Sequence, residues 1–575
     1  MATVTDDLAT AAACGMTLAY HAARAPQRSA IISELGNRTF AELNGNANRL
    51  VRALRARGVV AGDALALVCA NRPQFAEAMA AATRMGLRLT TVNWHLTGEE
   101  MAYIVDNSDS RVIIGDVRFA EPLEVVVANS PNVSVRLAIG GRMNGFDDYA
   151  ESIADQIDSD IDDPVLGRTM LYTSGTTGRP KGVDRSTLGP PTEMPPTEMP
   201  PTEMPPTEMP PTEMPPTEIP DAGAALAVAV GSAARQNGAT DRHLCTGPLY
   251  HAAPLAFSLA GPLAAGCGVV LMDGWDAEET LRLAARHRVT HTHMVATMFH
   301  RLLALPCDVR TKYDLSALRF VLHGAAPCPV GVKRALIDWL GPVVYEYYAA
   351  TEGGGTFVGP QEWMDKPGTV GRPFHPMLLE IHDTEGRRAP AGEIGTVYLR
   401  APATGRFRYY KDDAKTANSY DGEYFTLGDH GYLDDGGYLF LTGRSAELII
   451  SGGVNIYPAE IDAVLLTHPA VADAGTIGVP NDEWGEEVKA VIELKAGITG
   501  SAQLANELAA FCRQHLASFK VPRSIDFVEH LPRHDNGKLY RGKLRQLYVI
   551  DEDPTGHRSA SEKGRVPVES HHKAG

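Results

Sequence analysis

Hydroxyl-bearing residues alternate with glycines in one short segment of this 575-residue chain, Leu171–Val183, which reads LYTSGTTGRPKGV. Its amides and hydroxyls could wrap the oxygens of a phosphate, and its lysine could neutralise their charge. The spacing is not that of a Walker A loop, because Pro180 stands where that motif requires its second glycine. An ordinary surface turn is the alternative. The candidate phosphate ligands are Thr173, Ser174, Gly175, Thr176, Thr177, Gly178 and Lys181.

Five further segments carry residue types suited to nucleotide chemistry. A carboxylate can accept hydrogen bonds from a vicinal diol or hold Mg²⁺ through a hard oxygen, and a lysine can bridge two anions that must react. Taken singly, an Asp, Arg or Lys in a loop is usually a solvated surface charge. The segments are His323–Pro327 (HGAAP), Tyr347–Glu352 (YYAATE), Tyr424–Gly431 (YFTLGDHG), Ser451–Ile461 (SGGVNIYPAEI) and Pro532–Lys538 (PRHDNGK).

In this order, the six segments resemble the motifs of the adenylate-forming superfamily, which comprises acyl-CoA synthetases, adenylation domains of peptide synthetases, and luciferases. The resemblance runs from about residue 20 to 545 and leaves out a central repeat and the C-terminal tail. It implies an enzyme that uses ATP and Mg²⁺ to activate a carboxylic acid as its adenylate. Because the matches follow one another in the family's order, they favour a nucleotide site over solvated surface charges.

The resemblance assigns residues to the adenine and the phosphates. Tyr348 is implied to stack on adenine, while Thr351 and Glu352 approach the phosphates and Mg²⁺. Glu352 and Thr173 are the implied metal ligands and share the catalytic step with Lys538. The YYAATE motif departs from its usual form because an alanine, Ala349, replaces a glycine. The implied nucleotide ligands of the two middle segments are Gly324, Ala325, Ala326, Tyr348, Ala350, Thr351 and Glu352.

The remaining segments are assigned to ribose, coenzyme A and the reacting groups. Asp429 is implied to receive both ribose hydroxyls, and Arg444 supplies a second ribose contact. Gly452 and Gly453 are implied to border the coenzyme A channel after the small domain rotates. Lys538 is the implied catalytic lysine that also contacts the nucleotide. A flexible cation there would stabilise the charge that develops when a carboxylate attacks the α-phosphate.

The acid is indicated by weaker matches. Pro248–His251 resembles the segment that acyl-CoA and aryl-CoA ligases place beside the acyl pocket, which implies that His251 shapes this pocket. Val92–His95 and Met294–Leu303 resemble the fatty acyl branch. The absence of a following carrier-protein domain favours coenzyme A as the acceptor. We therefore predict an AMP-forming acyl-CoA ligase of fatty acid metabolism.

Two other functions remain open at this level. A fatty acyl-AMP ligase would deliver the same adenylate to a carrier protein, and a catalytically silent scaffold would use the proline-rich repeat to recruit a partner. Acyl chain length, and the choice between an aromatic and an aliphatic acid, depend on pocket depth, which no motif reports.

The elements that must position these segments alternate between amphipathic helices and short apolar strands. Phe40–Arg57 has apolar residues at helical spacing, and Ala64–Cys69 follows as a strand. Asp276 and Glu279 predict a capping box at the start of a helix, and Val289–Val295 predicts the next strand. The expected fold class is α/β, with a large N-terminal domain of α/β subdomains and a small α+β C-terminal domain, which the resemblance implies is mobile.

The predicted domains are residues 1–443 and 444–550, followed by a disordered tail at 551–575. The resemblance implies a hinge at Ala446, where the family commonly has Asp or Lys, and a small residue at this position could still absorb the change in φ and ψ. The larger domain contains PPTEM five times and PPTEI once over residues 190–219. Prolines at two of every five positions exclude helix and strand there, and a surface-loop expansion is favoured over a docking ligand.

Net charge bears on the partners. A net charge of −17 opposes nucleic acid as a partner. The partners that the resemblance implies are a small-molecule carboxylic acid, ATP and coenzyme A. The uncharged run Pro248–Met272 is interpreted as a buried helix and strand, without an integral membrane segment, because prolines and glycines interrupt it. His291 and His293 are expected to share one face of a buried strand. Scattered cysteines and an acidic N-terminus favour the cytoplasm, and the oligomeric state is left open, with a homodimer as one option.

Overall fold

The computed structural model describes residues 7–173, 180–185, 230–231, 233–234, 236–373, 378–401, 406–444, 447–451, 454–481, 485–533 and 537–548, with the backbone alone at 444, 454, 455 and 485. The predicted insert at 190–219, the tail at 551–575 and the hinge residue Ala446 lie outside these ranges.

The strands are short in the N-terminal part of the chain and longer toward its C-terminal end. In chain order they are β1 (Ser29–Ile32), β2 (Arg38–Thr39), β3 (Ala64–Val68), β4 (Arg88–Thr91), β5 (Ser110–Asp116), β6 (Val135–Ile139), β7 (Asp147–Asp148), β8 (Arg168–Thr169), β9 (Leu171–Thr173), β10 (Lys181–Asp184), β11 (Arg242–Cys245), β12 (Gly268–Leu271), β13 (His291–Met294), β14 (Phe320–His323), β15 (Val344–Ala350), β16 (Gly353–Val358), β17 (Leu379–His382), β18 (Gly395–Arg400), β19 (Arg408–Tyr409), β20 (Tyr420–Asp421), β21 (Tyr424–Leu433), β22 (Leu439–Arg444), β23 (Ile449–Ser451), β24 (Val454–Ile456), β25 (Val471–Asn481), β26 (Gly485–Leu494) and β27 (Ser524–Val528).

Helices connect most of the parallel strands. The α-helices are Leu8–Ala13, Thr17–Arg24, Phe40–Ala56, Pro73–Arg84, Gly98–Asn107, Ala120–Asn129, Tyr149–Ala154, Gly261–Ala264, Ala277–Arg286, Ala296–Ala304, Cys307–Thr311, Val330–Leu340, Pro360–Asp365, Asp413–Asn418, Pro458–Leu465, Ala502–His515 and Arg541–Gln546. A π-helical segment spans Pro254–Ala260, and 3₁₀ turns span Val117–Phe119 and Ser518–Lys520.

Within the described ranges the strands form five sheets. An eight-stranded sheet has the order β16-β15-β14-β13-β11-β12-β1-β2, parallel except at its two antiparallel edges, and a six-stranded parallel sheet has the order β7-β6-β5-β3-β4-β8. Antiparallel sheets are built from β9, β10 and β19 and from β17, β18, β20, β21 and β22. The fifth sheet contains β23, β24, β25, β26 and β27. The predicted α/β fold class is confirmed.

Local sequence explains the ends of the predicted elements. The helix Phe40–Ala56 begins after Thr39, which forms a full capping box with Glu42, and its apolar face packs in the core between the two large sheets. The strand Ala64–Val68 is buried along its whole length, as a central parallel strand requires. Asp276 caps its helix by accepting a hydrogen bond from the backbone N–H of Glu279. The second bond of the predicted capping box, from the Asp276 backbone N–H to the Glu279 carboxylate, is not formed, and this carboxylate accepts a bond from Arg282.

The uncharged run after Pro248 forms the π-helical segment, the short helix Gly261–Ala264 and the buried strand β12, so its interpretation as a buried helix and strand is confirmed. No helix in the described part of the chain is both long and apolar enough to cross a bilayer. The strands change sheet between Arg444 and Ile449, close to the predicted boundary at Arg444, which remains a prediction.

Candidate functional site

The carboxyl ends of β11, β13, β14 and β15 meet at one edge of the eight-stranded sheet, because these strands are parallel neighbours. We call this the carboxyl edge. In α/β folds, ligands bind outside this edge of a parallel sheet. Gly324–Ala326 follows β14, and Tyr348–Glu352 spans the end of β15 and the turn into β16. Two segments that the sequence singled out therefore lie side by side.

Gly324 lies directly on the strand that carries the tyrosines. A Cβ at this position would lie 2.6 Å from the Tyr347 carbonyl oxygen and 2.7 Å from the Tyr347 ring, which leaves no room for a side chain. The next residue, Ala325, has a φ of 68°, a left-handed conformation that costs a non-glycine residue about 1–3 kcal/mol. Such strain persists where the surrounding structure fixes the backbone. Ala325 is exposed, in the loop that follows β14 at the carboxyl edge.

Tyr348 reaches from this edge to the antiparallel sheet. Its hydroxyl donates a hydrogen bond of 2.7 Å to Asp429 Oδ2, and the Asp429 side chain is largely buried. Two carboxylate oxygens offer about four acceptor positions, so this bond leaves Asp429 capacity for further hydroxyl groups. Asp429 also pairs with Arg444 across β21 and β22. Only the backbone of Arg444 is described.

Glu352 is held by a residue that the sequence did not suggest. The Tyr409 hydroxyl donates a 2.9 Å hydrogen bond to Glu352 Oε1, and both side chains are buried. Burial, followed by the charge of Glu352, raises the pKa of Tyr409, so the phenol stays protonated as a donor. Hydrogen bonds to charged groups contribute about 1.5–3 kcal/mol. The Glu352 carboxylate is thereby oriented, and Tyr409 belongs to no motif that would have revealed it.

Thr173 and Lys181 are joined to this cluster through Tyr409. They are register partners in the β9–β10 pair, and β10 pairs in turn with β19, which contains Tyr409. Lys181 Nζ lies 5.6 Å from the centre of the Tyr409 ring and 3.1 Å from Asp412 Oδ2. Lys181, which was predicted to face phosphate, therefore forms an ion pair with Asp412. The glycine-rich motif gave no indication of this partner. Ser174, Gly175, Thr176, Thr177 and Gly178 lie outside the described residues.

One contact network thus links the predicted residues of the large domain. Thr351 joins it through its carbonyl, which accepts a 3.1 Å hydrogen bond from Arg185, and Ala350 pairs with Gly353 in the β15–β16 turn. We call Tyr348, Glu352, Tyr409, Asp429 and the β9–β10 pair the nucleotide face. Thr173 is linked to Glu352 through the paired strands β9, β10 and β19 and the Tyr409 hydroxyl, and Asp429 is linked to the end of β15 through Tyr348. That the three residues share one nucleotide site remains a prediction. Glu352 and Thr173 present hard oxygen donors, which suit Mg²⁺ when nucleotide oxygens and water complete its shell.

Lys538 belongs to the smaller, C-terminal part of the chain. Its neighbour Gly537 has a φ of 77°, and a Cβ there would lie 2.3 Å from Thr297 Oγ1 and 3.0 Å from Val295. Val295 follows β13, so Gly537 and the half-buried Lys538, here called the lysine segment, lie at the carboxyl edge. Arg533 fixes the segment by donating a 2.7 Å hydrogen bond to the Gly537 carbonyl.

His251 lies in the loop that leads from β11 to the π-helical segment, and its carbonyl accepts from Leu255. The buried Asn71 holds this loop through a 2.9 Å bond to the Gly247 carbonyl and another from the Leu249 N–H. The predicted acyl-pocket histidine therefore also lies near the carboxyl edge. Gly452 and Gly453, predicted for coenzyme A, lie outside the described residues.

Two family models match the chain. The model described as "AMP-binding enzyme" matches residues 18–189 and 222–410, and that described as "AMP-binding enzyme C-terminal domain" matches residues 460–538. The chain belongs to the AMP-binding enzyme family. The family match is interrupted at the PPTEM repeat and resumes after it, so the repeat stands outside the family's common sequence. The predicted membership of the adenylate-forming superfamily is confirmed, as are its small molecules ATP, Mg²⁺ and coenzyme A.

Curated relatives in this family cover nearly the whole chain. A 2-succinylbenzoate–CoA ligase of Bacillus licheniformis is 31% identical over 90% of this chain and 97% of its own length. The fatty acid–[acyl-carrier-protein] ligase ScoC of Streptomyces coeruleorubidus is 29% identical over 93% of this chain and 96% of its own length. The o-succinylbenzoate CoA synthetase (MenE) of Bacillus subtilis, solved with an acyl-adenylate, superposes with a TM-score of 0.71 at 28% identity, over 92% of this chain and 98% of that structure.

Proposed function

We propose that this chain is an AMP-forming ligase that activates a carboxylic acid with ATP and transfers the acyl group to coenzyme A. The observation that carries the proposal is the meeting of the nucleotide face and the lysine segment at one carboxyl edge. Glu352, supported by Tyr409, lies on one side of this edge, and Gly537 brings Lys538 to the other. The names of the relatives support the same chemistry.

In the first step, a carboxylate oxygen of the acid attacks the α-phosphorus of ATP, and the bond to pyrophosphate breaks. Asp429 and Tyr348 are proposed to hold the ribose and adenine, with Gly324–Ala326 along the base. Lys538 is proposed to lie between the two anions and to stabilise the charge of the transition state. Mg²⁺ held by Glu352 and Thr173 would neutralise phosphate charge.

In the second step, the coenzyme A thiolate attacks the acyl carbon of the adenylate, and AMP leaves with the electron pair of the acyl–oxygen bond. This step needs no cation between a carboxylate and a phosphate. Lys538 is therefore assigned to the first step alone. Gly452 and Gly453 are proposed to border the channel through which coenzyme A enters.

Transfer to a carrier protein is the second candidate, because the relative ScoC is named as a ligase of that type. The relatives also differ in the acid that their names give, which is 2-succinylbenzoate for one and a fatty acid for another. The prediction of a fatty acid substrate therefore stays one of two possibilities, and the cytoplasm remains the proposed location.

Pyrophosphate release across carboxylic acids of graded length and aromaticity tests the first step, and thioester formation with free coenzyme A tests the second. We expect both with the same acid. Pyrophosphate release without a thioester would favour the carrier-protein ligase. No release with any acid would overturn the proposal and favour a silent scaffold.

A further inference from the structure

A buried ion pair joins the helix Val330–Leu340 to β15. Lys333 Nζ donates a 2.6 Å hydrogen bond to Glu346 Oε2, and the two side chains are 0% and 6% exposed. The Lys333 ammonium also lies 4.7 Å from the centre of the Trp363 ring. His323 faces the same carboxylate, with its Nε2 3.5 Å from Glu346 Oε2. We call Lys333, Glu346 and His323 the buried triad.

The buried triad closes the loop that follows β14. His323 is the last residue of β14 and the register partner of Glu346 in β15. The loop Gly324–Pro329 starts directly after His323, and Lys333 lies in the first turn of the helix that follows the loop. The start and the end of the loop are therefore both brought to one carboxylate on the neighbouring strand.

Glu346 also relates the loop to Tyr348. The pairing of β15 with β16 is regular from Glu346 to Tyr348, so these two side chains project from the same face of the strand. Two residues of strand cover about 7 Å. The two segments that are proposed to border adenine, Tyr348 and Gly324–Ala326, are thus joined through one ion pair a short distance below them.

An ion pair at this depth is a weak source of stability. Removing two charges from water costs free energy that their attraction offsets only in part, and apolar residues of similar volume often replace such a pair without loss of stability. Among the described residues, no side chain caps the start of the helix Val330–Leu340, and Ala325 in the loop has a left-handed φ of 68°. Local sequence therefore does not hold the loop, whereas the bond from Lys333 to Glu346 does.

We propose that the buried triad positions the loop Gly324–Pro329 against Tyr348 and thereby sets the affinity of the site for the adenine of its nucleotide. The inference rests on the proposed placement of adenine between Tyr348 and this loop. Lys333 and Glu346 are positioning residues, because both are buried and act through the loop backbone. Without the pair the loop relaxes away from the tyrosine, so adenine loses contacts while the phosphates keep theirs.

The experiment removes both charges together, because a single substitution would leave the other charge buried without a partner. Lys333→Met combined with Glu346→Leu keeps apolar side chains of similar size, and its melting temperature should stay near that of the wild type. Calorimetry with Mg²⁺ present then gives the dissociation constants of AMP and of tripolyphosphate, which lacks adenosine. We expect the constant for AMP to rise by about tenfold or more and that for tripolyphosphate to stay within about twofold. A merely structural role would weaken both ligands or neither.

Lys489 and Asp526 provide the matched control. They form a comparable buried pair, 3.1 Å apart, between β26 and β27 of the fifth sheet. Lys489→Met combined with Asp526→Leu should leave both dissociation constants unchanged. Should the test variant fail to fold, Glu346→Gln keeps the shape of the side chain but offers Lys333 a neutral and weaker acceptor, and it should raise the dissociation constant of AMP by about threefold.

Three results would overturn the inference. They are an unchanged dissociation constant for AMP in the folded double variant or in Glu346→Gln, an equal rise for tripolyphosphate, and an equal rise for AMP in the control variant. Failure of the proposed ligase activity is distinct, because it would abolish pyrophosphate release with every acid, whereas the binding of AMP and tripolyphosphate is measured without an acid.

Discussion

The nucleotide face and the lysine segment reach the same carboxyl edge by different means. The nucleotide face is built by strand pairing and by buried hydrogen bonds, such as those from Tyr348 to Asp429 and from Tyr409 to Glu352. The lysine segment lies outside the strands, in the C-terminal part of the chain after β27, and meets the edge through the contact of Gly537 with Thr297. The nucleotide face is therefore fixed by the strands that carry it, whereas the position of the lysine segment depends on its contact with Thr297. Changes to the two should therefore affect the two half-reactions differently.

The largest effect is expected for Lys538→Ala. Removing the cation should lower adenylation by about 10²–10³-fold or more, because Lys538 is the cation proposed to stabilise the charge between carboxylate and phosphate in the transition state. Reaction of a preformed acyl-adenylate with coenzyme A should stay near the wild-type rate. Lys543→Ala, at an exposed position five residues later, is the control and should change neither step. Equal loss of both half-reactions would refute the assignment.

Substitutions of Glu352 and Tyr409 test how the nucleotide face is supported. Glu352→Gln should lower ATP–pyrophosphate exchange by about 10²-fold, whereas Tyr409→Phe should lower it by about tenfold, since it removes only the orienting hydrogen bond. The Mg²⁺ concentration for half-maximal exchange should rise in both variants.

Tyr410→Phe is matched to Tyr409→Phe, because Tyr410 also donates to a carboxylate, that of Asp109, but at an exposed position. It should leave exchange unchanged. If Tyr410→Phe and Tyr409→Phe behave alike, the orienting role of Tyr409 is wrong.

A milder change tests docking of the lysine segment. Gly537→Ala places a Cβ against Thr297 Oγ1 and strains a left-handed φ, so adenylation should fall by about tenfold while the thioester step is spared. Adding Thr297→Ala should restore part of the loss.

Gly497→Ala separates strain from docking, because Gly497 has a φ of 84° and a Cβ added there would meet no atom within 4 Å. This variant should keep both half-reactions. Loss of activity in Gly497→Ala equal to that in Gly537→Ala would mean that backbone strain, not docking, is responsible.

Removal of residues 190–219 should have the smallest effect. The repeat supplies no group for either half-reaction, and the family match is interrupted there. Both rates should stay within tenfold of the wild type, about 1.4 kcal/mol. A larger fall in one half-reaction would give the repeat a part in catalysis or in access to the site.

The motifs predicted which segments converge but not how they are held. Gly324–Ala326 and Tyr348–Glu352 could be found in the sequence because each is a short contiguous segment that resembles a motif of the family. Tyr409 was missed because it acts through a hydrogen bond across 57 residues. Thr297 was missed as a docking contact for the same reason, since its partner Gly537 lies in another part of the chain.

The sequence by itself determined the family, the α/β class and the segments that are predicted to handle nucleotide, because periodicity, caps and short motifs are local properties. Tertiary structure alone decided that Tyr409 orients Glu352, that Lys181 is paired with Asp412, and that Gly537 lies against Thr297. These are contacts between distant parts of the chain. They depend on sheet order and register, which the spacing of residues along the chain does not specify.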